Sequence, residues 1–134
     1  MKKLLIMGVV TALAAGLPLS AFAQSQATQE VSTAHTHAVL AQSATPLAMA
    51  QLHLHHVINC LVGPKGTGFD AAAGDPCKGQ GDGAINDAAS DSALEAKLKS
   101  ALADARSGLK ANSLETAQQD AGKAAAELGA APGK

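Results

Sequence analysis

The sequence predicts an all-α protein, an up-down four-helix bundle made of two helical hairpins that are joined by a long, disulfide-tied loop. Apolar residues repeat at spacings of three and four in four separate segments, which is typical of amphipathic helices. Short polar turns near Pro46 and Asn112 join these segments in pairs. A glycine-rich segment separates the pairs, and the only two cysteines, Cys60 and Cys77, lie at its start and within it.

The amino terminus is predicted to be a bacterial secretory signal peptide. Residues 1–3 carry two lysines, residues 4–17 are apolar and uncharged, and Ala21-Phe22-Ala23 has the small-x-small pattern that signal peptidase reads. The apolar run is shorter than the roughly 20 residues that a membrane span needs. We therefore expect a signal peptide over 1–23, and a mature protein that is periplasmic or secreted and keeps no stable membrane anchor.

The mature chain is predicted to begin with a flexible lead-in and to continue as one helical domain. Residues 24–33 are rich in Gln, Ser and Thr, and we expect them to be flexible. The domain spans 34–134 and begins with a helical hairpin over 34–62. Thr45 is expected to cap its second helix, with Pro46 in the first helical position. The apolar stripe of this second helix comprises Leu47, Ala50, Leu54, Val57, Ile58 and Leu61.

Segment 63–89 is predicted to be a loop, because it is rich in glycine and poor in apolar residues. Loops of this length in compact domains are usually functional or mobile. In an oxidising compartment an even number of cysteines favours a disulfide, here between Cys60 and Cys77. By chain entropy such a bond contributes about 3 kcal/mol of stability. A thiolate metal ligand and a reactive thiol are the alternatives.

The second hairpin is predicted over 90–129. Ser92 and Glu95 fit a capping box at the start of its first helix. Asn112 or Ser113 is expected to cap the last helix. The apolar faces of the two helices comprise Leu94, Leu98, Ala101, Leu102, Ala105, Leu109, Leu114, Ala117, Ala121, Ala124 and Leu128.

Composition argues against several classes of function. The formal net charge of −1 gives no electrostatic basis for binding nucleic acid. The chain has no Trp or Tyr and only two Phe, so it lacks the rings on which bases or sugars stack. There is no CxxCH haem-attachment motif, no HExxH zinc-protease motif and no phosphate-binding loop. Since no motif supplies an activated nucleophile either, we expect that the protein is not an enzyme.

The histidines are the most informative feature of the mature chain, because all five lie in the first hairpin. His53 and His56 share one stripe of the second helix with Met49. Counting back across the turn brings His37 near His53 and His35 near His56. We therefore predict a metal site for Cu or Zn, formed by His53, His56 and one or both of His35 and His37. Met49 would be a soft fourth ligand that favours copper.

Two other interpretations of the histidines stay open. The rings could lie on the helix surface, or be half-buried and hydrogen-bonded, without binding any ion. Noncovalent haem b, held between His53 or His56 and a partner on another helix, is a less favoured cofactor.

Two resemblances accompany this pattern. An exported, Ala-rich helical bundle with clustered histidines resembles the small periplasmic His-rich metal-binding proteins. Members of that group carry histidines along most helices, whereas this chain confines them to one hairpin, which favours one defined site over bulk storage. The segment His-Leu-His-His-Val-Ile-Asn-Cys-Leu-Val-Gly over 53–63, with Pro76-Cys77 beyond it, resembles an uncharacterised exported bacterial family and implies no function.

The sequence thus favours a periplasmic small metal-binding protein. The alternative is a structural or interaction protein, a chaperone-like helical module of the cell envelope that binds no metal. No residue pattern identifies a protein partner. The two hypotheses differ in whether replacing His53 and His56 would affect the function.

Overall fold

The computed structural model describes residues 19–131, and this part of the chain is all-helical. Its elements are α1 (Leu19–Ser43), α2 (Leu47–Val62), α3 (Ala84–Asp87), α4 (Ser92–Leu109) and α5 (Leu114–Gly129). Within the described range, none of the helices is long and apolar enough to cross a membrane. Residues 1–18, which hold most of the predicted signal peptide, lie outside the described residues.

The four long helices pack around one core. α1 contacts α2 and α5, and α4 contacts α5 and α2. α1 contributes mainly small side chains to this core, among them Ala34 and Ala38, which let its backbone approach its neighbours closely. α2 supplies larger side chains such as Leu54 and Ile58. Because a fully buried Leu or Ile stabilises by about 1.5–3 kcal/mol, α2 is the main apolar contributor on this side of the molecule.

The predicted flexible lead-in over 24–33 is instead helical. α1 begins at Leu19, well before the predicted start of the first helix. Ala27 and Val31, one helical turn apart, are buried in the core, and Glu30 between them is buried too. Apolar residues are too sparse here to show a helical period, so only the tertiary contacts reveal why the segment is ordered.

Two predicted helix caps differ from the observed ones. α4 is capped by Asp91, whose Oδ1 accepts a hydrogen bond from the backbone N–H of Leu94 at 3.0 Å; Ser92 is already inside the helix. Asp and Ser are equally good caps, so the sequence does not separate neighbouring candidates. At α2 the cap position is Pro46, not Thr45, and no side chain caps it.

The disulfide between Cys60 and Cys77 is present, with a Cα–Cα distance of 5.2 Å. Both cysteines are buried. The bond joins the last turn of α2 to the middle of the segment predicted as a loop. The structure adds the short helix α3 within that segment.

Removing the disulfide is expected to lower the free energy of unfolding by roughly 3 kcal/mol, because the unfolded chain regains the entropy of an open loop. The variant is Cys60→Ser/Cys77→Ser, and the measurement is urea denaturation with and without reductant. The wild-type midpoint should fall in reductant, and the midpoint of the variant should not change. Equal midpoints for the wild-type protein and the variant in the absence of reductant would contradict the prediction.

Asn59 attaches the loop to α2 by side-chain hydrogen bonds. Its Nδ2 donates to the carbonyl oxygens of Asp70 at 2.8 Å and Gly74 at 2.7 Å, and its Oδ1 accepts from the N–H of Asp70 at 2.8 Å. The side chain is fully buried. One amide therefore satisfies three backbone groups of the loop, as buried polar groups require.

Glu30 attaches the loop to α1. It is 1 % exposed, and its Oε1 accepts a hydrogen bond from the N–H of Gly83 at 2.9 Å. The backbone of Gly81 lies against the carboxyl groups of both Glu30 and Asp87, and a Cβ there would collide with both. Burial, with the nearby charge of Asp87, raises the pKa of Glu30 to about 8. Glu30 is therefore protonated at neutral pH and can share its proton with Asp87.

Candidate metal centre

Three histidines from the first two helices converge on one another. His37 comes from α1, and His53 and His56 lie one turn apart on α2. The Nδ1 atom of His37 is 3.1 Å from Nδ1 of His53 and 3.3 Å from Nδ1 of His56. One ring nitrogen from each residue lies within 4.8 Å of the other two. We call these three residues the histidine cluster.

The short turn between α1 and α2 explains why these residues meet. The two helices pack against each other on either side of residues 44–46. His37 lies seven residues before this turn and His53 seven residues after it. Residues that are equally far from a tight helical turn lie side by side on the two helices. His56 joins them because residues three apart share a helix face.

The loop determines which nitrogen of His56 carries a proton. Nε2 of His56 is 2.8 Å from the carbonyl oxygen of Ala73. A carbonyl oxygen only accepts hydrogen bonds, so Nε2 must carry the proton. In the neutral ring, Nδ1 then has a free lone pair, and this atom faces His37. Metal-binding histidines commonly donate their other ring N–H to a backbone carbonyl or carboxylate in this way.

The spacing of the ring nitrogens suits a metal ion. Zn–N bonds are about 2.0–2.1 Å long, so two nitrogens at adjacent corners of a tetrahedron lie about 3.3–3.4 Å apart. The two Nδ1–Nδ1 distances, 3.1 and 3.3 Å, are close to this value. Without an ion, lone pairs on all three Nδ1 atoms would repel one another at these distances. A proton on Nδ1 of His37, donated to the other two rings, would remove this repulsion.

Burial and the neighbouring rings favour the ligating form of two histidines of the cluster. Burial, together with the neighbouring His56 and His53, lowers the pKa of His37 to about 4. Burial, together with His56, also lowers the pKa of His53. Since a protonated imidazole offers no lone pair at that nitrogen, neutral rings are required for metal binding. Both rings are neutral at pH 7.

The structure separates the two candidate histidines of α1. His37 joins the cluster, but His35 lies against α5, where a Cβ on Gly129 would be 3.2 Å from its Nε2. Residues two apart point about 200° around a helix, so His35 and His37 cannot both face α2. His35 therefore lies outside the cluster, so that of the two candidates on α1 it is His37 that joins His53 and His56. His55 also lies outside the cluster, with Nδ1 3.6 Å from Oδ2 of Asp70.

The disulfide excludes the alternative in which Cys60 is a thiolate ligand. Met49 lies one turn before His53 and is 43 % exposed; its role as a ligand stays a prediction.

The sequence analysis missed two residues that support the cluster, Asn59 and Ala73. The sequence signal for Asn59 was a polar residue among the apolar residues of α2. Ala73 contacts His56 through its backbone carbonyl, and such a contact gives no signal in the sequence.

No protein-family model, curated protein or solved structure matches this chain. The functional argument therefore rests on the site itself. The site consists of three half-buried imidazoles whose nitrogens face one another, with one ring oriented by a backbone carbonyl. Such a group of residues can hold a transition metal ion.

Proposed function

We propose that this protein binds one transition metal ion, Cu or Zn, through His37, His53 and His56. The observation that carries the proposal is the approach of Nδ1 of His37 to within 3.1 and 3.3 Å of the Nδ1 atoms of the other two rings. The hydrogen bond from His56 to Ala73 supports it, because this bond directs a lone pair of His56 into the cluster.

The chemistry of the ligands supports a borderline or soft ion. Imidazole nitrogens suit Zn and Cu, whereas Mg and Ca prefer oxygen ligands. We propose Met49 as the additional donor, which would favour copper. A haem is disfavoured, because the rings of the cluster contact one another directly and leave the space of one ion rather than that of a porphyrin.

We further propose that the protein acts in the periplasm or outside the cell. The pattern over residues 1–23 supports export, and a disulfide is compatible with an oxidising compartment. We propose an up-down bundle for the four long helices, since each of them packs against at least two of the others. Sequestration, delivery and sensing of the ion would all suit such a protein.

A chelator-competition titration tests metal binding. The purified protein, prepared without a histidine tag, is titrated with Cu and with Zn beside two double variants. His53→Ala/His56→Ala removes two cluster rings from α2. His35→Ala/His55→Ala is the matched control, since it removes two histidines of the same two helices that lie outside the cluster.

We expect one tightly bound ion per chain in the wild-type protein and in the control. The cluster variant should bind at least about 100-fold more weakly, because removing only a residue that supports a ligand already costs 10–100-fold. Equal affinities in the two double variants would overturn the proposal. Circular dichroism of each variant checks that the helical fold is kept.

A further inference from the structure

The histidine cluster offers an ion neutral donors only. Its three imidazoles are half-buried, and within residues 19–131 no Cys, Asp or Glu joins them. Cys60 lies one turn after His56 on α2 and would be an anionic donor as a free thiolate, but the disulfide with Cys77 removes that charge. An ion held by the cluster therefore keeps its full positive charge.

Carboxylates of α1 and of the loop have other partners. Oδ2 of Asp70 faces Nδ1 of His55 at 3.6 Å, and Oδ1 of Asp75 accepts a hydrogen bond from the N–H of Cys77 at 3.0 Å. Glu30 is the only acidic residue of α1, and α2 has none. It is buried, and burial raises its pKa to about 8, so it carries a proton at neutral pH. These groups therefore do not neutralise an ion in the cluster.

The charge of the ion consequently decides how well it is held. The cost of taking an ion out of water rises with the square of its charge, so a divalent ion costs about four times as much as a monovalent ion of the same size. Zinc sites often offset this cost with thiolates or carboxylates, and where three histidines bind zinc the fourth position is left to water. Three neutral, half-buried donors without an anionic partner thus favour a monovalent ion.

Met49 is placed to add a fourth donor that is also neutral. It lies one turn before His53, so the two residues share a face of α2, and it is 43 % exposed. A thioether is a soft ligand and selects Cu(I), while imidazole binds copper as well as zinc. The charge and the softness of the donors therefore favour the same ion.

We infer that the site takes copper as the monovalent ion Cu(I), in preference to Cu(II) and Zn, with His37, His53, His56 and Met49 as its donors. This inference rests on the proposed function and names the charge state of its ion. Because Cu(I) is the more tightly held state, the protein keeps copper reduced while it holds or delivers the ion in an oxidising compartment.

Voltammetry of the purified protein, prepared without a histidine tag and loaded with one equivalent of copper, tests this inference. We expect Cu(I) to bind about 100-fold more tightly than Cu(II) or better, which places the potential of the bound ion at least about 120 mV above that of the aqueous couple. One equivalent of Zn should leave the bound Cu(I) in place. A potential at or below the aqueous value, or displacement of Cu(I) by Zn, would overturn the inference.

Met49→Glu replaces the neutral thioether by a carboxylate. An anionic donor stabilises a divalent ion more than a monovalent one, so the preference for Cu(I) should fall about tenfold, which lowers the potential by about 60 mV. Ala48→Glu introduces the same charge at an exposed position about 100° around α2 and is the matched control. It should keep the wild-type potential, and equal shifts in the two variants would contradict the inference.

The outcomes separate this inference from the proposed function. A protein that binds Zn or Cu(II) in preference to Cu(I) would overturn the inference alone and leave metal binding by the cluster intact. Absence of uptake of any of these ions would overturn the proposed function, and this inference with it. Circular dichroism of both variants checks that the helical fold is kept.

Discussion

Replacing Asn59 by Asp is expected to lower the free energy of unfolding by roughly 3–5 kcal/mol. The new carboxylate has nearly the same shape, but its second oxygen would face the carbonyl oxygens of Asp70 and Gly74, which now accept hydrogen bonds from Nδ2. Two hydrogen bonds are lost, and a negative charge is placed in a fully buried position. Urea denaturation at neutral pH measures the change.

The control for this substitution is Asn112→Asp, which introduces the same charge at an exposed position before α5. It should change the stability by less than about 0.5 kcal/mol. Asn59→Asp should also weaken metal binding, because the loop residue Ala73 that orients His56 lies between the two carbonyl partners of Asn59. If Asn59→Asp and Asn112→Asp were equally stable, the loop would not depend on Asn59.

Stability is expected to fall as the pH rises toward and above 8, and Glu30 is the cause. Its pKa is about 8 in the folded protein and near 4.5 when unfolded. The folded state therefore binds more protons between these values, so the contribution of Glu30 is full below pH 4.5 and is lost as the pH rises through 8. The total change is on the order of several kcal/mol.

Glu30→Gln is expected to remove most of this dependence. Its Oε1 can still accept from the N–H of Gly83, and a neutral amide does not ionise as the pH rises. At about pH 9 the variant should be more stable than the wild-type protein. Glu115→Gln, at an exposed position of α5, is the control and should keep the wild-type slope.

The titration of His37 changes the stability with pH in the opposite direction to that of Glu30, and it therefore limits the pH range of the experiment. Its pKa falls from 6.5 in the unfolded chain to about 4 in the folded protein. Its contribution to stability is therefore present above pH 6.5 and lost as the pH falls through 4. Denaturation curves between about pH 6.5 and pH 9 isolate Glu30. A flat stability profile over this range would show that Glu30 is ionised in the folded protein.

Local patterns predicted much of the second hairpin and of the turns. Ser113, one of two predicted caps, does cap α5 and accepts a hydrogen bond from the N–H of Thr116. Gly63 ends α2 with a positive φ of 70°, as expected where a helix stops at glycine. Such features involve residues close in sequence, which is why the sequence alone reveals them.

The start of α1 could not be predicted by the same means. Its contacts include the hydrogen bond that Glu30 accepts from Gly83, a residue 53 positions away in the sequence. Polar residues dominate this part of the chain, and a helical period is hidden when only Ala27 and Val31 are apolar and buried. Long-range contacts thus hold a segment that composition alone would assign to a flexible tail.

The amino-acid sequence was enough to predict the existence of the four long helices, the disulfide and the placement of all histidines in one hairpin, because each of these follows from composition or helical period. That His37 and not His35 joins His53 and His56 became visible only when the packing of α1 against α2 was known. The tertiary structure also revealed that Ala73 orients the ring of His56. Helical periodicity states which residues share a face, but the rotation of α1 against α2 and the path of the loop depend on packing between distant parts of the chain.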